Sequence, residues 1–270
     1  MLKQMISATT LLSGLAIAGS VNATMIDLDL TKPTSTEGQW WNYSSKNTYS
    51  NFGDDLELQV TGWSNQSKGF GFHSRRHSKI SSAKLGNWSV GSTEYGLGVE
   101  RGHSPNHAID NSQGDYDMLL LNFSKAVTLS GVSAGWRGTK YSGYQNVITE
   151  NNGDLSVLAY QGDSLEANLG LTGKDWQDLL KDNWTSAGDH QFGSDNKAEV
   201  NSGGLVSQYW LVGAYNENLS DAYSDYSVND DFFKVSGVSV DVAPVPLPGS
   251  MLLFGASLLG IGAYRRRKTA

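Results

Sequence analysis

The chain is 270 residues long, with eight tryptophans and no cysteine, so it builds no disulfide scaffold and offers no thiolate nucleophile. Five of its 20 basic residues (Lys3, Arg265, Arg266, Arg267 and Lys268) lie at the two ends, leaving 15 basic against 27 acidic residues in positions 24–243. That net charge of −12 repels a polyanion and excludes nucleic acid as a partner.

Residues 1–23 have the three parts of a secretory signal peptide. Lys3 supplies the positive start. Residues 5–18 form an apolar run broken only by small or hydroxyl side chains. Val21-Asn22-Ala23 places small side chains where a signal peptidase reads them, so cleavage is expected between Ala23 and Thr24. The run is too short for a membrane helix. Residues 24–243 then form one exported domain, long enough to bury a full core.

Gly, Ser, Asn and Asp clusters punctuate this body, as in an all-β domain. Residues 25–30 alternate through Ile26, Leu28 and Leu30, and residues 56–63 through Leu56, Leu58 and Val60. That is the period of a half-buried strand. Trp40, Trp41 and Tyr43, and later Trp88, lie in polar stretches. Exposed rings of this kind stack on sugars, so these four are the candidate ligand-binding residues. Trp136 and Trp210 sit in apolar strand patterns and read as core.

Glu94 and Glu100 fall in a strand-loop region with nothing to mark them as a hydrolase pair. The pairs His73/His77 and His103/His107 have zinc-like spacing but lie among Gly, Ser and Pro, away from any helix. The stretch 110–117 gathers Asp110, Asn111, Asp115 and Asp117 in a turn. Hard oxygens in a loop at the end of a sheet suit calcium, the cofactor this stretch would take. It lacks the spacing and final glutamate of an EF-hand. Asn229-Asp230-Asp231 is a weaker second candidate.

Residues 118–123 are apolar apart from Asn122, as in a strand covered on both faces. Residues 155–160 and 209–212 read as further strands. Residues 127–134 and 233–240 share a pattern in which the apolar positions change parity at a Ser-Gly pair. A strand has period two, so each change requires an extra residue. Bulges are therefore expected at Ser130-Gly131 and Ser236-Gly237. Thr172-Gly173-Lys174-Asp175 resembles a capping box, followed at helical spacing by Trp176, Leu179, Leu180 and Trp184. The expected architecture is a two-sheet β-sandwich of jelly-roll type with one short inserted helix.

The end of the chain is the most specific part. Val245-Pro246-Leu247-Pro248-Gly249 is stiff and extended, because its prolines continue neither helix nor ladder. Residues 251–264 carry no charge, and counted from Leu247 the run reaches 18 residues. That suffices for a single membrane helix over 247–264 when its ends snorkel. The cluster Arg265-Arg266-Arg267-Lys268 resists translocation and acts as a membrane stop. A sortase signal would need Leu-Pro-x-Thr-Gly, and a GPI signal ends without the basic cluster. A single-pass anchor that nothing cleaves is a further alternative.

Proline motif, short apolar helix and basic cluster over residues 244–270 together resemble a PEP-CTERM sorting tail. Leu247 stands where the usual pattern has glutamate; the Val-Pro-Leu-Pro form occurs in other tails of this type. The resemblance implies recognition by an exosortase, a membrane-embedded cysteine enzyme that cleaves and transfers its substrate. It also implies a Gram-negative source that makes exopolysaccharide. The expected partners are signal peptidase and the secretion machinery, the exosortase, the inner membrane before processing, and polysaccharide. The expected fate is the cell surface or the extracellular matrix. Residues 107–136 are also similar to a body segment of other surface proteins with this tail. The expected function is a non-enzymatic structural or adhesive role in exopolysaccharide or biofilm. The alternatives are a calcium-assisted carbohydrate-binding module and, third, a hydrolase.

Overall fold

The computed structural model describes residues 24–65, 79–100, 107–138, 153–162, 170–219, 226 and 231–242. The chain divides into two compact units, one formed by Met1–Ala23 with Pro244–Ala270 and the other by Thr24–Ala243. Every described residue belongs to the second. The expected signal peptide, sorting motif and membrane helix lie outside the described residues, as do His73, His77, His103, Asn229 and Asp230. Among the described residues no helix is long and apolar enough to cross a membrane.

The fold is all-β. The chain runs through β1 (Thr24–Asp29), β2 (Ser35–Glu37), β3 (Tyr43–Ser44), β4 (Lys46–Tyr49), β5 (Leu58–Ser64), β6 (Ser81–Val90) and β7 (Thr93–Glu100). There follow β8 (Ile109–Asp110), β9 (Asp117–Gly138), β10 (Asp154–Tyr160), α1 (Trp176–Leu179), β11 (Trp184–Gln191), β12 (Lys197–Glu199), β13 (Ser207–Ala214) and β14 (Phe232–Val242). These strands join into one sheet in the order β11-β10-β13-β9-β14-β7-β6-β5-β4-β2, and β9 also pairs with β5. The second pairing closes a ring through β9, β14, β7, β6 and β5.

The two separate sheets of a jelly roll are therefore not what the ladders report. The reason is β9, a strand of 22 residues. Its first part, from Asp117 to Phe123, pairs with β5 on one side, and residues 118–122 pair with β13 on the other. Its second part, from Val127 to Gly138, pairs with β14. One bent strand thus carries hydrogen bonding around a corner where two sheets would otherwise part.

Both expected bulges are present. Along the β9–β14 ladder Val235 pairs with Ala134 and Gly237 with Ser133, so Ser236 has no opposite residue. Ser239 pairs with Gly131 and Val240 with Leu129, which leaves Ser130 as the extra residue. Burial changes parity at the same places: Val127 and Leu129 are buried before Ser130, and Val132 and Ala134 after it.

The run 118–123 is buried on both faces. Leu119, Leu121 and Phe123 enter an inner apolar cluster with Leu58, Val60, Val157, Trp210 and Val240. Met118 and Leu120 enter an outer cluster with Trp63, Leu158, Tyr160, Trp184 and Leu211. Leu171, Trp176 and Leu179 cover that outer cluster. Burying one such side chain stabilises the fold by about 1.5–3 kcal/mol.

The helix is shorter than expected. It covers only Trp176–Leu179, and Trp184 begins β11 instead of closing the helix. The helix is capped at Leu180, and Asn183, with a positive φ of 63°, turns the chain into β11. No capping box forms, since Asp175 makes no side-chain cap bond and pairs with Lys79 at 2.6 Å.

Candidate functional site

The tryptophans sort into three groups. Trp63, Trp176, Trp184 and Trp210 are buried. Trp88 and Trp136 are half-buried. Trp40 and Trp41 are 64% and 82% exposed. The expectation that Trp136 is core fails because its ring lies over Lys234 at 5.5 Å. Trp88, expected at the surface, is held by the same lysine from 5.6 Å and by the His107 ring at 4.4 Å.

The exposed pair stands on a small hairpin. β2 and β4 pair through Glu37 and Lys46, and the chain between them folds back on itself. Trp40 and Tyr43 close a two-residue turn with reciprocal backbone bonds of 2.8 and 3.0 Å. At Gly38, φ is +61°, and an added Cβ would lie 2.6 Å from the Ser45 hydroxyl. Glycine is needed there because Ser45 packs against this turn and donates to the Glu37 carbonyl from both its N–H and its hydroxyl. Trp41 itself takes φ +55°, a left-handed conformation that costs a bulky residue about 1–2 kcal/mol. Backbone strain of this kind collects where a side chain is held out for a task.

The two exposed rings lie 6.0 Å apart, with planes 22° from parallel. Lys84 sits over the Trp40 ring at 5.4 Å and the Tyr43 ring at 6.0 Å. Burial, and then the charge of Glu100, raise the Tyr43 hydroxyl above its ordinary pKa, so it stays a neutral donor at physiological pH. β3 pairs with β6 at Gly86. A Cβ at Gly86 would meet the Trp88 indole nitrogen at 3.1 Å and the Tyr43 ring at 3.3 Å. The four candidate residues therefore form a connected strip: Trp40, Trp41 and Tyr43 on the hairpin, with Trp88 beyond Gly86.

A groove of about 220 Å³ opens beside this strip. Trp41 and Tyr43 line it with Thr36, Gln39, Asn42, Asn87, Ser89 and Glu94 among others. Most of these polar residues were not legible as a site. They come from the β1–β2 connection, the hairpin, the end of β6 and the start of β7. Only the ladder brings them together.

The acidic turn is a different kind of place. Asp110, Asn111 and Asp117 are buried. The Asn111 amide donates to Asp231 at 2.6 Å and to the Tyr215 carbonyl at 3.0 Å, and its own oxygen accepts the Asp231 N–H at 3.0 Å. It is thus committed to the fold. Asp110 and Asp117 come together. The Asp117 carboxyl accepts from the Asp110 backbone and the Ser64 hydroxyl. Burial pushes Asp110 up to about 6, against the lowering bonds from Ser112 and with added repulsion from Asp115. Burial, then the charge of Asp110, push Asp117 well above the carboxylate range. Both carboxyls therefore keep their protons to a higher pH than a free aspartate does. Among the described residues no three histidine or acidic side chains gather as a cation-holding group. Glu94 and Glu100 sit near the two ends of β7, about 20 Å apart at 3.3 Å per residue. A glycosidase pair is about 5–10 Å apart.

Lys234 is a third special group. It is 3% exposed, lies between the Trp88 and Trp136 rings, and donates to the carbonyl and ring nitrogen of His107. Desolvation lowers its ammonium to about 7. Burial, and then the Lys234 charge, also lower His107.

Residues 244–268 match the family model of the PEP-CTERM protein-sorting motif. The tail is a PEP-CTERM sorting motif. The match includes Val245, Pro246, Leu247, Pro248 and Gly249 as well as Arg265, Arg266, Arg267 and Lys268. It is confined to the tail and leaves the β body unassigned. A PEP-CTERM motif implies an exosortase as processing partner, with export and membrane-associated sorting toward the cell surface. No curated protein and no solved structure matches the chain.

Proposed function

We propose that this is a non-enzymatic surface or matrix protein whose body adheres to polysaccharide through the Trp40–Tyr43 hairpin. The observation that carries this reading is the exposed tryptophan pair, mounted on a strained turn beside a polar groove. Aromatic faces with convergent neutral hydrogen-bonding groups are the chemistry of sugar recognition. The PEP-CTERM tail supports delivery to the surface, where exopolysaccharide or biofilm matrix would be the target. The body is read as a sandwich-like, jelly-roll-type fold, with the two parts of β9 in its two layers around the inner cluster.

Delivery has three steps in this reading. Signal peptidase cuts between Ala23 and Thr24; the 247–264 helix, stopped by Arg265–Lys268, holds the chain in the inner membrane; the exosortase processes the Val245–Gly249 motif. N-terminal sequencing and intact-mass measurement of the product from the native cell test this. A product that begins at Met1 or keeps its basic end intact counts against it. Adhesion is tested by affinity electrophoresis of the full chain, in mild detergent, through gels containing polysaccharide. Retardation of the wild type and free migration of the Trp40→Ala/Trp41→Ala double variant are expected. Equal retardation of both overturns the hairpin as the adhesive site.

A further inference from the structure

The groove beside Trp41 has a composition that selects among sugars. We propose that it takes an uncharged pyranose unit of a polysaccharide and disfavours chains that carry uronate or other acidic groups. This rests on the carbohydrate reading of the hairpin. The polar lining is neutral almost throughout: Thr36, Gln39, Asn42, Asn87 and Ser89 offer hydroxyls and carboxamides. Such groups both donate and accept, as sugar hydroxyls do. Trp41 supplies an apolar face for the C–H side of a ring. At about 220 Å³ the groove is smaller than the roughly 300–1,000 Å³ of drug-sized pockets, so a single ring is the unit it admits.

Charge gives the selectivity. Among the described residues that line the groove, Glu94 alone is of a charged type, and it is acidic. Its partner Lys32 lies 3.5 Å away. Lys84 is engaged with the Trp40 and Tyr43 rings and stands opposite Glu100 across the β6–β7 ladder. Among the described residues, no lysine or arginine lines the groove to receive a carboxylate. A uronate would meet Glu94 against the background of a body with net charge −12. A membrane surface fits less well, because the wall next to Trp41 is built of amides and hydroxyls in place of an apolar ring.

The test compares a panel of neutral glucans and mannans with alginate as the uronate chain. The full chain in mild detergent is used at low and high salt. Retention on a neutral polysaccharide, independent of salt, is expected, and Trp41→Ala weakens it about tenfold while leaving the melting temperature unchanged. Glu94→Gln increases retention on alginate. Wild-type retention that is stronger on alginate and fades with salt overturns the neutral-sugar proposal and leaves the carbohydrate reading standing. Wild-type retention on neutral chains that Trp41→Ala does not weaken places the ligand elsewhere and overturns the groove. Absence of retention on any chain overturns both readings, and binding to lipid vesicles in that case assigns the hairpin to a membrane surface.

Discussion

Trp63, Trp176 and Trp184 are only 2–3% exposed, under the cover of Leu171 and Leu179, whereas Trp40 and Trp41 stand 64% and 82% exposed at a hairpin turn. Both regions lie on the same sheet and are built from the same residue. In the first, each ring is apolar mass that fills space between β strands and the segment laid over them. Burial is worth so much there that the indole N–H groups of Trp176 and Trp184 find no hydrogen-bond partner among the described residues. In the second, the rings return almost nothing to the fold, and the Trp41 backbone is strained besides. In the proposed adhesive role, a tryptophan that returns so little to the fold has its use outside the molecule.

The largest test of this contrast is truncation at each end. Trp184→Ala should cost about 3–5 kcal/mol in urea unfolding, as aromatic deletions from cores do. Trp41→Ala should change stability by less than about 0.5 kcal/mol. Similar losses at both sites would erase the distinction.

Lys234 offers an intermediate case, a cation held by the half-buried rings of Trp88 and Trp136. Its ammonium falls from 10.5 in the unfolded chain to about 7 in the fold. Below pH 7 both states are charged and the full desolvation penalty is present. Between about pH 7 and 10.5 the native state gives up the proton first, so stability from this group rises with pH. Lys234→Met should therefore stabilise by about 1–4 kcal/mol near pH 6, with the gain shrinking toward pH 10. A gain that stays flat with pH would show that the rings and His107 compensate the charge in full.

Asp110 titrates with the opposite sign. Its carboxyl is raised from 3.8 to about 6, so the native state holds the proton longer than the unfolded chain. Stability from this group is present below pH 3.8 and is lost as pH rises through 6. The advantage of Asp110→Asn should appear above pH 6 and vanish near pH 4, read from melting temperatures across that range. The smallest effect is expected at the turn itself. Trp41→Gly relieves the positive φ and should add about 1 kcal/mol or less. A loss of stability there would mean that the exposed ring supports the hairpin after all.

Much of the local structure was legible in the sequence. Parity changes exposed the bulges at Ser130 and Ser236, because side-chain alternation is a rule of the strand alone. The unbroken run 118–123 announced two covered faces for the same reason. The helix failed because apolar spacing at Trp176, Leu179 and Leu180 is shared by any tight turn over a hydrophobic surface; the path leaves the helix at Leu180, ahead of the left-handed Asn183 that precedes β11. Ring closure was not legible, since the pairing of β5 with β9 joins residues such as Leu58 and Phe123 far apart in the chain. The aromatic half of the candidate site could be read from polar surroundings. Its amide half could not, because Asn87 reaches the hairpin only through β6. The acidic turn looked like a cation loop for a similar reason. Its partners Ser64 and Asp231 come from elsewhere and turn Asn111 and Asp117 inward.

β1 and β14 run antiparallel with Thr24 opposite Val242. The entry and exit of the described body are thus stitched side by side, and β14 is also gripped by β9 and β7. Tension applied at Val242 would load several ladders at once in shear, instead of peeling a free edge open one bond at a time. Under the proposed adhesive role, drag from a bound polymer would leave the body folded for as long as β14 remains interior.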